Sequence, residues 1–370
     1  MKNPATLIKD AYLTWDSPIS LVHFITLRCN ARCKHCFIDF NNPEIFKDEL
    51  KIDEIREMSK HLGNSLLNVN LTGGEPFFRR DVFEIAEAYF TNAKIQSLYI
   101  TMNGYFTDRI KEFIDKFLAS GIEGKLIFAL SIDNFEEKHN ENRRVKGLFQ
   151  NALKTYGMIK GYNRDNILAD IALTVTEHNY ESVVPLYHYL KKEHGVDAFT
   201  ASAMREEGII KSIDHKIKAK IHKAYVELTD LIREDLIGKH TVGFKETLQG
   251  KIMNAKNLIV LKILQKIYAR PQYISHCPAG ALFGVIYGNG DVYPCEILSD
   301  RKLGNVRDYG FDFMKLWRGE AAENARVFIK DTNCNCTYEC AWSLNIVGNW
   351  RYIPKLIWGV ARGYLSAFRI

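Results

Sequence analysis

The chain has 370 residues, with 50 Lys and Arg against 44 Asp and Glu, a formal net charge of +6, 46% hydrophobic residues and 25% charged ones. That usage is globular, which excludes a disordered or fibrous chain, and the length suits one large domain plus a smaller one. No run of about 18 uncharged apolar residues is present and the first residues hold no long apolar stretch, which argues against a membrane-spanning helix and a secretory signal. Eight cysteines crowded at short spacings in such a chain fit thiolate ligands in a reducing cytoplasm better than disulfides.

Residues 1–19 read as an extension. Residues 21–27, 66–71, 95–101, 126–131, 167–175 and 197–203 are rich in β-branched and aromatic residues and predict strands. Between them, residues 53–61, 81–90, 108–119, 147–160 and 181–193 carry helical spacing, several opened by an acidic residue. Six strand-helix units over residues 20–205 predict an α/β domain with a parallel sheet. Residues 206–275 read as a helical connection. In 276–341 the turn Gly288-Asn-Gly290-Asp291 between apolar runs 281–287 and 292–295 predicts a β-hairpin in a small cysteine-bearing domain. Residues 342–370 form a basic amphipathic tail.

The loop after the first strand reads Cys29-Asn-Ala-Arg-Cys33-Lys-His-Cys36. Three thiolates at that spacing can hold three irons of a [4Fe-4S] cluster and leave the fourth open to a small molecule, as catalytic zinc keeps an open position. The second strand ends Thr72-Gly73-Gly74-Glu75-Pro76. Glycines there let backbone approach a ligand closely, and Glu75 can receive an ammonium group.

CxxxCxxC followed by a GGE turn resembles the radical S-adenosylmethionine (SAM) enzymes. The resemblance implies a partial, open (β/α)6 TIM-like barrel with its chemistry at the carboxyl ends of the strands. It makes the methionyl amine of SAM the partner of Glu75, beside Gly73, Gly74 and Pro76. Asn103, in Thr101-Met-Asn103-Gly104, corresponds to the family's TNG turn; Ser131 and Asp133 are candidates for the ribose hydroxyls; Thr174, with Asn179 after it, ends the fifth strand as in relatives. The stretch from His139 to Phe149 looks like HDxxRGxxGxF and places Arg143 at the SAM carboxylate. Asn140 and Arg144 depart from that pattern, so Arg143 and Arg144 both stay open. His35 fills the slot of an aromatic residue and can pack on adenine. The implied activity is reductive cleavage of SAM to methionine and a 5'-deoxyadenosyl radical that abstracts a substrate hydrogen atom. The electron comes from a donor such as flavodoxin or ferredoxin.

Cys277, Cys295, Cys334, Cys336 and Cys340 form a second set. With the Gly290-x4-Cys295 step, Leu303-Gly304-Asn305-Val306-Arg307 and Trp317, they resemble the SPASM and twitch domains that follow many radical SAM barrels. Full SPASM domains use seven cysteines for two clusters; five suffice for one auxiliary [4Fe-4S] cluster. Four ligands leave one thiol spare, with Cys334 the candidate. A zinc ribbon is the rival for this set, and a non-catalytic zinc or iron-sulfur binding or electron-transfer protein is the rival for the whole chain.

Substrate is read from charge. Residues 247–276 and 341–370 hold no Asp or Glu; the first stretch carries Lys251, Lys256, Lys262, Lys266 and Arg270. On a helix, Arg351, Lys355, Arg362 and Arg369 share a stripe opposite Ile353, Ile357, Val360, Tyr364 and Phe368. This predicts either a peripheral contact with the inner face of a membrane and a lipid-linked or phosphate-bearing substrate, or a helix docked by its apolar face. A peptide, as in the maturases of ribosomal peptides among SPASM relatives, is the alternative. The roughly 20 residues before the first strand are too few for a leader-peptide recognition domain, which weighs against a peptide without excluding one, since such a domain can be a separate chain. Nucleic acid is not expected.

Overall fold

The computed structural model describes residues 3–205, 213–238 and 248–361. After a short helix α1 (Pro4–Lys9), strands β1 (Ser20–Thr26), β2 (Asn68–Gly73), β3 (Ser97–Met102), β4 (Lys125–Ser131), β5 (Ile167–Val175) and β6 (Phe199–Ala203) fall within a few residues of the six expected runs. Helices α2 (Ile52–Ser59), α3 (Val82–Thr91), α4 (Thr107–Ala119), α5 (Glu136–Arg143), α6 (Leu148–Gly161) and α7 (Val183–His194) alternate with them. The connection is two long helices, α8 (His215–Gly238) and α9 (Leu248–Ala269). Then come β7 (Phe283–Ile286), β8 (Asp291–Tyr293), β9 (Gly304–Asn305), α10 (Phe313–Trp317), α11 (Glu320–Asp331), α12 (Glu339–Val347) and α13 (Ile353–Ala361).

Tertiary contacts divide the chain into two interleaved units. The first comprises residues 1–132, 136–169 and 279–328; the second, residues 133–135, 170–278 and 329–370. In the first, β1 to β4 pair in parallel in chain order. Parallel strands covered on both faces are buried along their whole length, and every residue of β1 is buried, Ser20, His23 and Thr26 included. The register of β1 on β2 shifts between Phe24 and Thr26, so that Thr26 meets Gly73, where the cysteine loop leaves the sheet. The core closes with edge-on aromatic pairs, Phe77–Phe113 at 5.6 Å and Phe113–Phe128 at 6.1 Å.

The hairpin does not make a sheet of its own. β7 pairs antiparallel with β8 and lies parallel along the free edge of β1, Ser20 opposite Phe283 and His23 opposite Ile286. Edge strands demand partners, and the four buried residues of β7 supply one at low polar cost.

In the second unit β5 and β6 pair in parallel from Ile171–Phe199 to Val175–Ala203. Around them α7, α8 and α9 bury Leu186, Leu190, Ile221, Leu228, Leu258 and Ile259. α13 packs on α9, burying Leu356 and Gly359, with Tyr352 just before it. Ile357, expected on the docked face, points outward at 64% exposure, beside Trp350 at 69% and Trp358 at 41%. The docked stripe is set by Leu356 and the small Gly359, one turn apart. Arg362, Tyr364, Phe368 and Arg369 lie outside the described residues. Among the described residues no helix is long and apolar enough to cross a membrane.

Candidate active site

The first unit holds the cysteine loop and the GGE turn together. Gly74 donates its amide to the Thr26 carbonyl and Glu75 to the Arg28 carbonyl, both at 2.9 Å. A Cβ on Gly73 would lie 2.0 Å from the Thr26 oxygen, and one on Gly74 2.3 Å from that of Arg28. The glycines are thus required first by the chain's own backbone: the turn is pressed against the residues that lead into Cys29. Gly73, with φ of 150°, also adopts a conformation that side chains disfavour.

Glu75 is buried, with one carboxylate oxygen accepting from the Phe77 amide at 3.1 Å and the other from the Asn103 amide at 2.7 Å. Burial pushes its carboxyl up to about 7, against the pull of those two amides and of Arg143. Asn103, the turn after β3, donates to the Asn30 side chain at 2.8 Å and lies 4.0 Å from the Cys29 sulfur. The Ala31 amide donates to that sulfur at 3.3 Å. Pro76 opens the next 3-10 turn and is buried.

Of the two candidate arginines, Arg143 is the one that lies against the cysteine loop. It is buried, and its guanidinium lies 3.8 Å from the Cys33 sulfur. The Arg32 and Lys34 amides donate to the Arg143 and Asn142 carbonyls at 3.1 and 2.9 Å, so α5 clamps the cysteine loop. Arg144 takes a left-handed φ of 55° and is exposed. His35 sits half-buried in the turn between Cys33 and Cys36.

Cys29, Cys33 and Cys36 are each half-buried. Burial pushes Cys29 up to about 12, with Glu75, Cys33 and Cys36 adding to the rise and the Ala31 amide opposing it; Cys36 is raised by burial too. Among the described residues no three His, Cys, Asp or Glu side chains form a preformed metal cage. The donor set nonetheless suits iron: three soft ligands close enough to repel one another as anions, shielded from water and flanked by a guanidinium. A metal takes the place of the protons that burial otherwise retains.

Ser131 ends β4, half-buried. In the second unit the buried Asp133 accepts the Thr174 amide at 3.2 Å, and Asn179 donates to the Asp133 and Thr174 carbonyls at 2.7 and 2.8 Å. Asp133 therefore braces the end of β5, and Asn179 is the hub of that brace. Of the second cysteine set, Cys295 is buried in the first unit; Cys277, Cys334, Cys336 and Cys340 are half-buried in the second. The Trp342 indole donates to the Cys336 carbonyl at 2.8 Å.

A parallel βα domain with a thiol-rich loop beyond its first strand defines an iron-sulfur enzyme scaffold, and comparison with known proteins makes it specific. The Radical SAM superfamily model matches residues 24–190, and the SPASM model, an iron-sulfur cluster-binding domain, matches residues 277–341. The chain is 24% identical over 362 residues to Fe-coproporphyrin III synthase of Methanosarcina barkeri, covering 90% of this chain and 84% of that protein. It is 26% identical over 322 residues to AdoMet-dependent heme synthase of the same organism, covering 85% of each. The structure of anSMEcpe with bound AdoMet and Cp18Cys peptide superposes with a TM-score of 0.62 at 18% identity, covering 93% of this chain and 99% of that one. The chain belongs to the radical SAM superfamily and carries a SPASM-type iron-sulfur domain. It is an enzyme whose cofactors are SAM and a [4Fe-4S] cluster, with auxiliary iron-sulfur in the SPASM domain.

Proposed function

We propose that Cys29, Cys33 and Cys36 hold the SAM-coupled cluster, and that the clasp of Gly73, Gly74, Glu75, Asn103 and Arg143 around their loop fixes its open corner. The buried guanidinium 3.8 Å from Cys33 carries this reading, because a fixed cation beside a thiolate cluster and an anionic cofactor carboxylate serves both. When bound, the cluster and SAM supply an electron and a 5'-deoxyadenosyl radical for hydrogen abstraction. The residues bind and orient. Glu75, already near neutrality's edge, gains its charge when an ammonium arrives. Arg143 receives the carboxylate, and Pro76 fixes the entry of the turn. By family resemblance, His35 would pack on adenine, and Ser131, Asp133 and Thr174 would serve the ribose. Four of Cys277, Cys295, Cys334, Cys336 and Cys340 hold one auxiliary cluster, a reading supported by the SPASM match and by spacing. A flavodoxin or ferredoxin delivers the electron in the cytoplasm.

The substrate we infer is an anionic, largely apolar small molecule. Outward Trp350, Ile357 and Trp358, next to Arg351 and Lys355 in a stretch without carboxylates, support a lipid-linked phosphate met at a membrane surface. A carboxylated tetrapyrrole is the second reading, favoured by the two relatives named for heme-type products, which align over most of their length.

The test is anaerobic. Reconstituted protein, reduced with dithionite, releases 5'-deoxyadenosine from SAM, and release accelerates with the true substrate among a polyprenyl-phosphate sugar, an iron coproporphyrin and a precursor peptide. A colourless zinc protein that leaves SAM intact overturns the assignment, and acceleration by peptide alone overturns the substrate class.

A further inference from the structure

Lys256 lies on α9 inside the acid-free stretch 247–276, yet it is only 7% exposed. Its ammonium donates to the Ser343 hydroxyl at a long 3.3 Å. Among the described residues that is its hydrogen bond, and no carboxylate lies within ion-pair reach; the side chain whose charge it feels is Cys340. Cys340 and Ser343 are three residues apart on α12, which packs on α9, so both sit on the helix face turned to Lys256.

A buried ammonium costs several kcal/mol unless an anion is close. A hydroxyl and a protonated thiol do not provide one. A thiolate shared with iron does, because the anionic character of the cluster spreads onto its sulfurs. We propose that Lys256 is a positioning residue for the auxiliary cluster: its ammonium rests against the Cys340 side, balances the negative charge there and holds the cluster's reduction potential up. The inference rests on the reading of Cys340 as a ligand. Its physical content is simple. One-electron reduction adds negative charge next to a fixed cation in a poorly screened interior, so the cation favours the reduced side.

The experiment uses the full chain with Cys29, Cys33 and Cys36 replaced by Ala, which leaves auxiliary iron alone, and reads the midpoint potential by EPR-monitored titration. Lys256→Met keeps the iron and shifts the midpoint negative by about 59 mV or more, a tenfold change in a one-electron equilibrium; Lys256→Arg restores the parent value. If Lys256→Met fails to hold iron, Lys256→Gln, neutral but still a donor, is read in its place, and iron lost from both neutral variants but kept by Lys256→Arg supports the charge role. Iron retained with an unmoved potential overturns the role of Lys256 and leaves the cluster standing. No iron in the parent with Cys29, Cys33 and Cys36 replaced overturns the ligand assignment, and the proposal falls with it.

Discussion

Gly74 shows how tightly a single residue can be bound to this site. Its Cβ position lies 2.3 Å from one carbonyl oxygen and 2.6 Å from another, both in the backbone of the cysteine loop. Gly74→Ala must therefore move the loop, at a cost on the order of 1–3 kcal/mol for overpacking. We expect the folded variant to lose most of the iron ligated by Cys29, Cys33 and Cys36, measured as iron per chain after anaerobic reconstitution; iron at the parent level would show that the loop is free to yield. His23 teaches a different lesson. It is wholly buried in β1, with Tyr89 hydroxyl 2.7 Å from Nδ1, and burial, aided by Arg79, pulls it down to about 3. Its folded value lies below the unfolded one near 6.5, so its contribution is full above that pH and fades as pH falls toward about 3, by up to about 1.4 kcal/mol per unit. Urea unfolding at pH 7 and 5 should show a drop about 2 kcal/mol smaller in His23→Phe than in the parent, whatever the variant's lower starting point.

At the scale of elements, the two cysteine sets and the GGE turn were legible because their chemistry is written in adjacent residues. The strands were legible for a similar reason: their expected runs are rich in β-branched and aromatic residues. What stayed hidden was non-local. No spacing rule places β7 on the edge of β1, or puts Arg143 rather than Arg144 against the cysteine loop, since that placement goes with Arg144 turning left-handed and outward. Glu75 was expected to await a ligand, yet its oxygens already organise two backbone amides. The return of the hairpin is secured by Arg307, whose guanidinium meets Glu54 of α2 in two bonds of 2.7 and 2.9 Å. That hydrogen bond holds Glu54 below the usual carboxylate range, so its stabilisation is present above about pH 4.5 and is lost as pH falls further. Arg307→Ala is expected to lower stability by about 1–2 kcal/mol at pH 7, with the gap to the parent narrowing as pH falls below about 4.5. An unchanged urea midpoint at neutral pH would remove this clasp from the account.

For the whole molecule, the uneven distribution of charge and exposed apolar groups makes a measurable claim. Trp350, Ile357 and Trp358 face outward from a stretch without acidic residues, so the full chain should sediment with vesicles of anionic lipid and stay in solution with neutral ones. Trp350→Ser with Trp358→Ser, both at exposed positions, should weaken that recovery several-fold without altering the unfolding midpoint. Equal recovery of parent and variant would sink the membrane contact. The pairing of β7 with β1 carries a consequence for synthesis. The strand that launches the cysteine loop ends at Thr26, and its neighbour begins at Phe283. At roughly 5–20 residues per second, a ribosome needs on the order of ten to fifty seconds to deliver that neighbour. Through that interval the edge of β1 has no β7 to pair with, so the growing chain is expected to expose an open hydrogen-bonding edge until residues 283–286 are made.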